Sequence, residues 1–408
     1  MDKKLKIAVI GGGASGMMAA ITAAREGAAV FLYEKKERVG KKLLSTGNGK
    51  CNFSNRDLRR ECYYGESREE AWKILSRFDA KAAVSFFEEA GMLVKDKGGC
   101  LYPASEQAST VLDILRLLLQ REKVTVYTGC QVLSIKKEKQ GGIALETQKE
   151  SAHYDRVILA CGGKAAPKTG SDGDGYRLAA MAGHTLIPVV PALVQLHCKE
   201  HYIKACAGVR TQAHLSLVEN GICVAEESGE LQFTEYGISG IVVFQLSRLA
   251  AYGLLQKKKM EMYIDCLPAY DNEAYADFVE KRKANHAAET VEAFFTGMLN
   301  KKLMQAFIRL SGLKPEDSYR HAEEKKIDAV FALCKRLKLS LSCCHSFEHA
   351  QVCAGGIPLR EVTENLESVF WKDLYMAGEM LDVDGICGGY NLQWAWASGY
   401  VAGKGAAE

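Results

Sequence analysis

The chain opens on an apolar run, Lys6-Ile-Ala-Val-Ile10, that passes directly into glycine. A short continuous apolar run bounded by glycine reads as a buried parallel strand. Small residues follow from Ser15 to Glu26 and stop at Gly27, the pattern of a helix with a glycine end. Ala29-Val-Phe-Leu-Tyr33 is a second buried strand, closed by Glu34. Strand, glycine turn, helix and strand within about thirty residues make a βαβ unit. The spacing of Trp72, Leu75, Phe78, Val84 and Phe87 predicts one helix over 68–90, and a second runs from Val111 to Gln120. Strands are expected at 124–127, 131–135 and 143–147. Arg156-Val-Ile-Leu-Ala160 returns as a buried strand and runs into Cys161-Gly-Gly163.

From about Pro188 the pattern changes. Short strands are predicted at 193–198, 213–218, 222–226 and 259–264, with turns between them such as Glu219-Asn-Gly221. Three or four helices follow between Asn272 and Lys338. Strands resume at 350–353 and 374–377, and the last clear helix runs from Asn391 to Ala402. The glycine-rich motifs stop before about residue 190 and resume after 345, so the stretch between them is expected to form a separate module. The sequence carries no internal repeat and no low-complexity segment.

Composition narrows the class. The 408 residues are 48% hydrophobic and 25% charged, which excludes a disordered chain, a collagen and a coiled coil. The net charge is only +3, so neither nucleic acid nor an anionic membrane is an expected partner. The lysine runs 257–259 and 301–302 read as solvated surface. Fourteen cysteines without a CxxC pair read as reduced thiols of a cytoplasmic protein. The basic start (Lys3, Lys4, Lys6) and the eighteen uncharged residues 7–24 imitate a signal peptide. Glycines 11, 12, 13 and 16 interrupt that run, which argues for a strand and helix instead.

The chemistry begins at Gly11-Gly12-Gly13-Ala14-Ser15-Gly16, a GxGxxG sequence. Gly11 suits a tight turn off the strand, Gly13 lets backbone approach a pyrophosphate, and Gly16 lets helix and strand pack closely. The motif follows a strand, opens a helix, and is followed by the acidic Glu34 at the end of the next strand, where a carboxylate would accept ribose hydroxyls. These features point to an adenine dinucleotide, NAD or FAD. Three segments decide for FAD. The basic, glycine-rich loop from Val39 to Asn52 can run along a pyrophosphate toward a ring system. The strand ending at Gly162-Gly163 suits close passage by a cofactor. Leu374 to Glu379, then Asp382 to Leu392, opens a second helix whose amides and dipole can face an electron-accepting ring.

The glycine-rich start, Thr46-Gly-Asn-Gly-Lys-Cys-Asn52, Phe233-Thr-Glu-Tyr-Gly-Ile-Ser-Gly240 and the tail from Gly378-Glu379 to Gln393 resemble the bacterial aminoacetone-oxidase-like and bile-acid-reductase-like FAD flavoproteins. The resemblance covers nearly the whole chain and is densest in residues 6–55, 155–180 and 350–403. It implies an α/β fold: a discontinuous, Rossmann-like FAD domain of the glutathione-reductase type, similar to that of fumarate reductases and ketosteroid dehydrogenases. An inserted β-barrel-like domain and a helical subdomain would interrupt it. The expected boundaries are 1–189 for the first part of the FAD domain, 190–270 for the β-rich insert, 271–338 for the helical subdomain and 339–408 for the return. The FAD contacts it implies are Gly11, Gly13, Ala14, Ser15, Gly16, Glu34, Lys35, Lys42, Thr46, Gly47, Asn52, Val132, Gly162, Glu379, Asn391 and Leu392. Glu379 would bind ribityl hydroxyls, and the backbone of Val132 would face the adenine. The sequence departs from many relatives at Asn48 and Lys50, where glycine and arginine are common.

The expected activity is that of an FAD-dependent oxidoreductase with non-covalent FAD. The favoured reaction reduces an activated C=C bond in a hydrophobic, steroid-like or bile-acid-like enone. NAD(P)H would be the donor, visiting transiently because no second GxGxxG unit is evident. The alternatives are an oxidase of a small amine such as aminoacetone, a flavin-dependent tRNA-modifying protein, and a flavin redox sensor. The apolar residues Ile238, Ile241, Val242, Val243, Phe244 and Leu246 are either the core of a helix or a wall suited to a flat ring system. Tyr236, Tyr390 and Trp394 are either core or pocket. Cys343, Cys344, His345, His349 and Cys353 crowd together, but their spacing fits no tetrahedral metal pattern, and His349 and Cys353 fall in the strand predicted there. No metal is expected. Cys51, in the flavin loop, is either a covalent redox partner or a small packing residue, and the usual behaviour of a free cysteine favours packing. No catalytic residue is assigned.

Overall fold

The computed structural model describes residues 4–285 and 287–408, so Lys3 lies outside it. The chain divides into two compact units, one made of residues 1–191 and 347–408, the other of residues 192–346.

The first unit is built on a five-stranded parallel sheet. In spatial order its strands are Leu374–Met376, Arg156–Leu159, β1 (Lys6–Ile10), β2 (Ala29–Glu34) and Thr125–Thr128. Ile7, Ala8 and Val9 are fully buried, as expected of a central strand covered on both faces. Residues 7–24 are thus β1, a glycine turn and helix α1 (Ala14–Arg25). The closing helix, Tyr390–Gly405, packs along α1. That crossing is close because Gly399 and Gly403 face α1: a Cβ on either would collide with the backbone oxygen of Ser15 or Ala19. Two small antiparallel sheets flank this frame, Val132–Lys137 with Ile143–Thr147 and Ser151–Tyr154, and Ser54–Asn55 with Cys100–Pro103 and Val94–Lys97.

The second unit is a closed six-stranded barrel with strand order Leu196–Cys198, Gly237–Ser239, Ile222–Phe233, Arg210–Glu219, Met260–Asp265 and Leu337–Cys344. Its long hairpin turns at Asn220 and Gly221, both with positive φ, as a two-residue turn requires. Helix Ile241–Leu255 and the helices Asn272–Asn285, Val291–Phe295, Lys301–Leu310 and Glu324–Lys335 share one apolar core with the barrel, including Met262, Phe294, Phe295 and Phe331.

Three expectations are corrected. The helix predicted over 68–90 is two helices, Arg68–Arg77 and Ala80–Glu89, because the Asp79 carboxylate accepts from the Ala82 amide and restarts the chain as an N-cap. The last barrel strand, Leu337–Cys344, lies outside the strands expected from the sequence and belongs to the second unit, which runs to residue 346. His349 precedes the strand Val352–Gly356, whereas Cys353 lies in it. Among the described residues no helix is long and apolar enough to cross a membrane.

Candidate active site

The segments singled out in the sequence meet at the carboxyl ends of the parallel strands. Gly11 follows β1, Glu34 ends β2, Cys161–Gly163 follow the strand Arg156–Leu159, and Gly378 and Glu379 follow Leu374–Met376. This edge is where open α/β sheets bind ligands.

The first turn is set by its glycines. Gly11 has φ +110°, and Gly16 packs so tightly that a Cβ would overlap the Gly11 carbonyl oxygen. At Gly13 a Cβ would meet nothing within 4 Å. Gly13 is also the N-cap of α1, and no side chain caps that helix. The amides of Ala14, Ser15 and Gly16 therefore head a helix open to an anion. Glu34 is oriented on both oxygens, accepting from the Gly12 amide at 2.9 Å and from the Lys36 amide at 2.8 Å. Burial outweighs these two bonds and pushes its carboxyl above the ordinary value.

Lys35 turns to acids: its ammonium group pairs with Asp172 and, at 3.0 Å, with Asp174, which also accepts from Gln131 at 2.7 Å. Val132 is buried next to Gln131, and the Cys130 amide donates to the Glu34 carbonyl, so this strand start lies beside the end of β2. Gly162 has φ +73°, and a Cβ there would approach Ser171 Oγ within 2.7 Å.

The basic loop is held by Thr46, whose hydroxyl donates to the Leu43 carbonyl at 2.6 Å, and by left-handed backbone at Gly47, Asn48, Gly49 and Cys51. Lys42 pairs with Glu379 at 2.6 Å, and the other Glu379 oxygen accepts from the Cys353 amide at 2.8 Å. Gly378 touches the start of α1: a Cβ on it would collide with Ser15 Oγ. The closing helix begins after Gly389, with φ +96° and no side-chain cap, so the amides of Asn391 and Leu392 lie in another open first turn. The Asn391 side chain is occupied in closing its own loop, bonding Gly385 on both amide atoms. Asn52 Oδ1 is buried with no partner among the described residues, and a Cβ on Gly389 would come within 2.8 Å of it.

These features fit a dinucleotide flavin: two open helix starts, one glycine with free space before it, one oriented carboxylate, and one buried acceptor awaiting a donor. The structure thus brings the N-terminal, loop and C-terminal candidates to one edge of the sheet. Sequence reasoning missed Gln393. It is fully buried and accepts from Ser54 Oγ at 2.6 Å while donating to the Phe78 carbonyl at 2.6 Å, which ties the closing helix to the loop segment. In the sequence it marks only the end of the resembling tail, as an amide beside the aromatic Trp394.

Tyr390 and Trp394 belong to the core; the Trp394 indole donates to the Gly378 carbonyl at 3.1 Å. Ile238, Val242, Val243 and Leu246 fill the barrel core, while Ile241 is exposed. Tyr236 stacks on His197 at 4.4 Å within the second unit. Cys51 is fully buried, and burial raises its thiol to about 12, which suits packing rather than reactivity. No cluster of potential metal ligands is found among the described residues.

The family model described as HI0933-like protein Rossmann domain matches residues 5–405. A 3-dehydro-bile acid delta(4,6)-reductase of Clostridium scindens is 45% identical over 410 aligned residues, covering 99% of each chain. A ribosomal RNA dihydrouridine synthase of Escherichia coli is 26% identical, covering 97% of this chain and 96% of that protein. A flavocytochrome c3 fumarate reductase structure aligns over 100% of this chain and 78% of its own, with TM-score 0.49 and 14% identity.

Proposed function

Because the chain belongs to the HI0933-like Rossmann-domain family, we propose that it is an FAD-dependent reductase that saturates an activated C=C bond in a steroid-like acid. The observation that carries this reading is the 45% identity, end to end, to a reductase of 3-dehydro-bile acids. The second relative, a dihydrouridine synthase, is also named for saturating a C=C bond, so the reaction type is common to both while the substrate differs.

In this reading the open first turn of α1 takes the pyrophosphate, with Gly13 leaving room for it. Glu34 accepts from ribose hydroxyls, its carboxylate already aimed by the Gly12 and Lys36 amides. Val132 lies on the adenine side, and Thr46, Gly47 and Asn52 follow the cofactor toward its ring end. Glu379, braced by Lys42 and the Cys353 amide, takes ribityl hydroxyls. The amides of Asn391 and Leu392 direct the positive end of the closing helix at the ring system. Bound FAD supplies the two-electron chemistry, and the protein supplies binding, orientation and electrostatics. NAD(P)H is the proposed hydride source.

The test is product analysis with FAD-loaded protein, NADH or NADPH, and a bile-acid enone. Gain of one pair of hydrogens per double bond supports the reading. Two other outcomes overturn it: oxidation of aminoacetone without any nicotinamide, or hydrogenation of uridine in ribosomal RNA with the enone left intact. The net charge of only +3 implies no long-range basic field, which favours the steroid reading over RNA.

A further inference from the structure

The ammonium groups of Lys50, Lys95 and Lys97 converge on one carboxylate in the first unit. Glu106 accepts from Lys95 at 2.5 Å and from Lys97 at 2.7 Å, and Lys50 stands 3.5 Å away. Three cations thus share one anion. The neighbouring pair of Arg56 with Asp96 is self-compensated and does not change the balance. The carboxylate is held from an unusual backbone position, since Glu106 has φ +53° in the left-handed region. Non-glycine residues kept there concentrate at functional sites, because the surrounding structure must impose the conformation.

The cluster is joined to the flavin loop by one ring. Lys97 lies over the face of Tyr102 at 5.6 Å. On the loop side, a Cβ on Gly47 would come within 3.9 Å of Tyr102 Cε1. Gly47 is one of the proposed FAD contacts, and Lys50 closes the same loop turn, its amide donating to the Gly47 carbonyl at 3.1 Å. Next to the cluster is one exposed apolar side chain. Leu93 is 77% exposed and its carbonyl accepts from the Ala104 amide, two residues before Glu106. Excess positive charge beside an exposed leucine, one ring from the flavin loop, suits a ligand with an apolar body and an anionic end.

We propose that Lys50, Lys95 and Lys97 seat the carboxylate of the acid substrate, with Glu106 as the internal anion that competes for them. This rests on the reading of the chain as a reductase of steroid-like acids, and it adds the residues that distinguish acid from neutral substrate. Glu106 supplies selectivity: a single weak or misplaced anion does not displace a carboxylate already bonded to two lysines. The three lysines are about half exposed, so each contributes modestly, about twofold to fivefold in affinity. The contribution should fall as salt is raised, since exposed charges are screened over about 8 Å at physiological ionic strength.

The test uses FAD-loaded protein and two probes, a bile-acid enone and its methyl ester, with binding read from perturbation of the flavin absorbance and KM read in turnover. Wild type should prefer the acid, and the preference should shrink at high salt. K95A/K97A should lower the acid-to-ester affinity ratio by about tenfold, the two lysine contributions combined. E106Q should move the ratio the other way, tightening the acid about twofold to fivefold, with flavin content unchanged as the check on folding. Equal shifts for acid and ester, or no effect of E106Q, would overturn the proposal while leaving the reductase reading intact. So would a KM increase confined to NADPH, which would assign the lysines to the nicotinamide phosphate. Failure of wild type to bind either probe would overturn the reading and this inference together.

Discussion

Within one turn, Gly13 and Gly16 separate two roles that the GxGxxG pattern lumps together. Gly13 has ordinary backbone angles, φ −81° and ψ −170°, and open space before it, so valine fits the fold but occupies the approach to a pyrophosphate. G13V should therefore lose FAD by at least about tenfold in affinity while the apoprotein loses no more than about 1 kcal/mol, the cost of a poorer N-cap. Flavin titration and thermal melting of the apoprotein check both parts; a larger loss of stability together with flavin would contradict the placement. G16A should do the reverse, destabilising the apoprotein by about 1–3 kcal/mol because its Cβ overlaps the Gly11 carbonyl. Both glycines were legible from sequence because their demand is steric and local. Gln393 and Glu106 were not, because their partners, Ser54, Phe78, Lys50 and the others, are brought to them only by tertiary folding.

At the scale of elements, two contacts hold the site's supports in place. The first is the seam between α1 and the closing helix. Alanine at Gly399 gains up to about 1 kcal/mol of helix propensity, but its Cβ would press on the Ser15 carbonyl oxygen in the first turn of α1. G399A is expected to lower Tm and to weaken FAD binding together; a raised Tm would show that the seam has slack. The second contact is a buried relay at the end of helix Asp174–Met181. His184 Nδ1 lies 3.2 Å from Glu361, and its Nε2 lies 2.7 Å from Ser368 Oγ. Burial disfavours the imidazolium and lowers the His184 pKa below 6.5, with Glu361 opposing. Burial alone would raise Glu361, but the Thr185 hydroxyl and amide with His184 bring it below its ordinary value. The unfolded chain then takes up a proton at His184 that the folded chain refuses, so stability is lost as pH falls through about 6.5. Glu361 adds a further loss below about 4.5 for the same reason of sign. Melting temperatures between neutral pH and about pH 5 should fall more steeply in wild type than in H184Q; parallel slopes would contradict the relay.

At the scale of the whole chain, the parallel-sheet unit was legible because its strands are continuous apolar runs ending in glycine, a pattern fixed by burial on both faces. The barrel's closing strand was not. Leu337, Leu339 and Leu341 alternate inward, yet they follow the helix Glu324–Lys335 after a single residue, with no turn signal between. The break at Asp79 was missed because the apolar spacing continues across it, and only the cap chemistry marks the boundary. Of the two readings of the apolar run after Tyr236, core packing describes Ile238, Val242, Val243 and Leu246, which serve the barrel core, while Ile241 is exposed and Phe244 half-buried. The proposed substrate class therefore rests on the likeness to the bile-acid reductase rather than on that segment. The central claim is that electrons pass from a nicotinamide through this protein to a steroid-like enone. The measurement is anaerobic stopped-flow: FAD-loaded protein reduced with NADH or NADPH, then mixed separately with a bile-acid enone and with oxygen. The account predicts that a nicotinamide reduces the flavin and that the enone reoxidises it faster than oxygen does. Rapid reduction by aminoacetone with none by either nicotinamide, or reoxidation by oxygen alone, would contradict it.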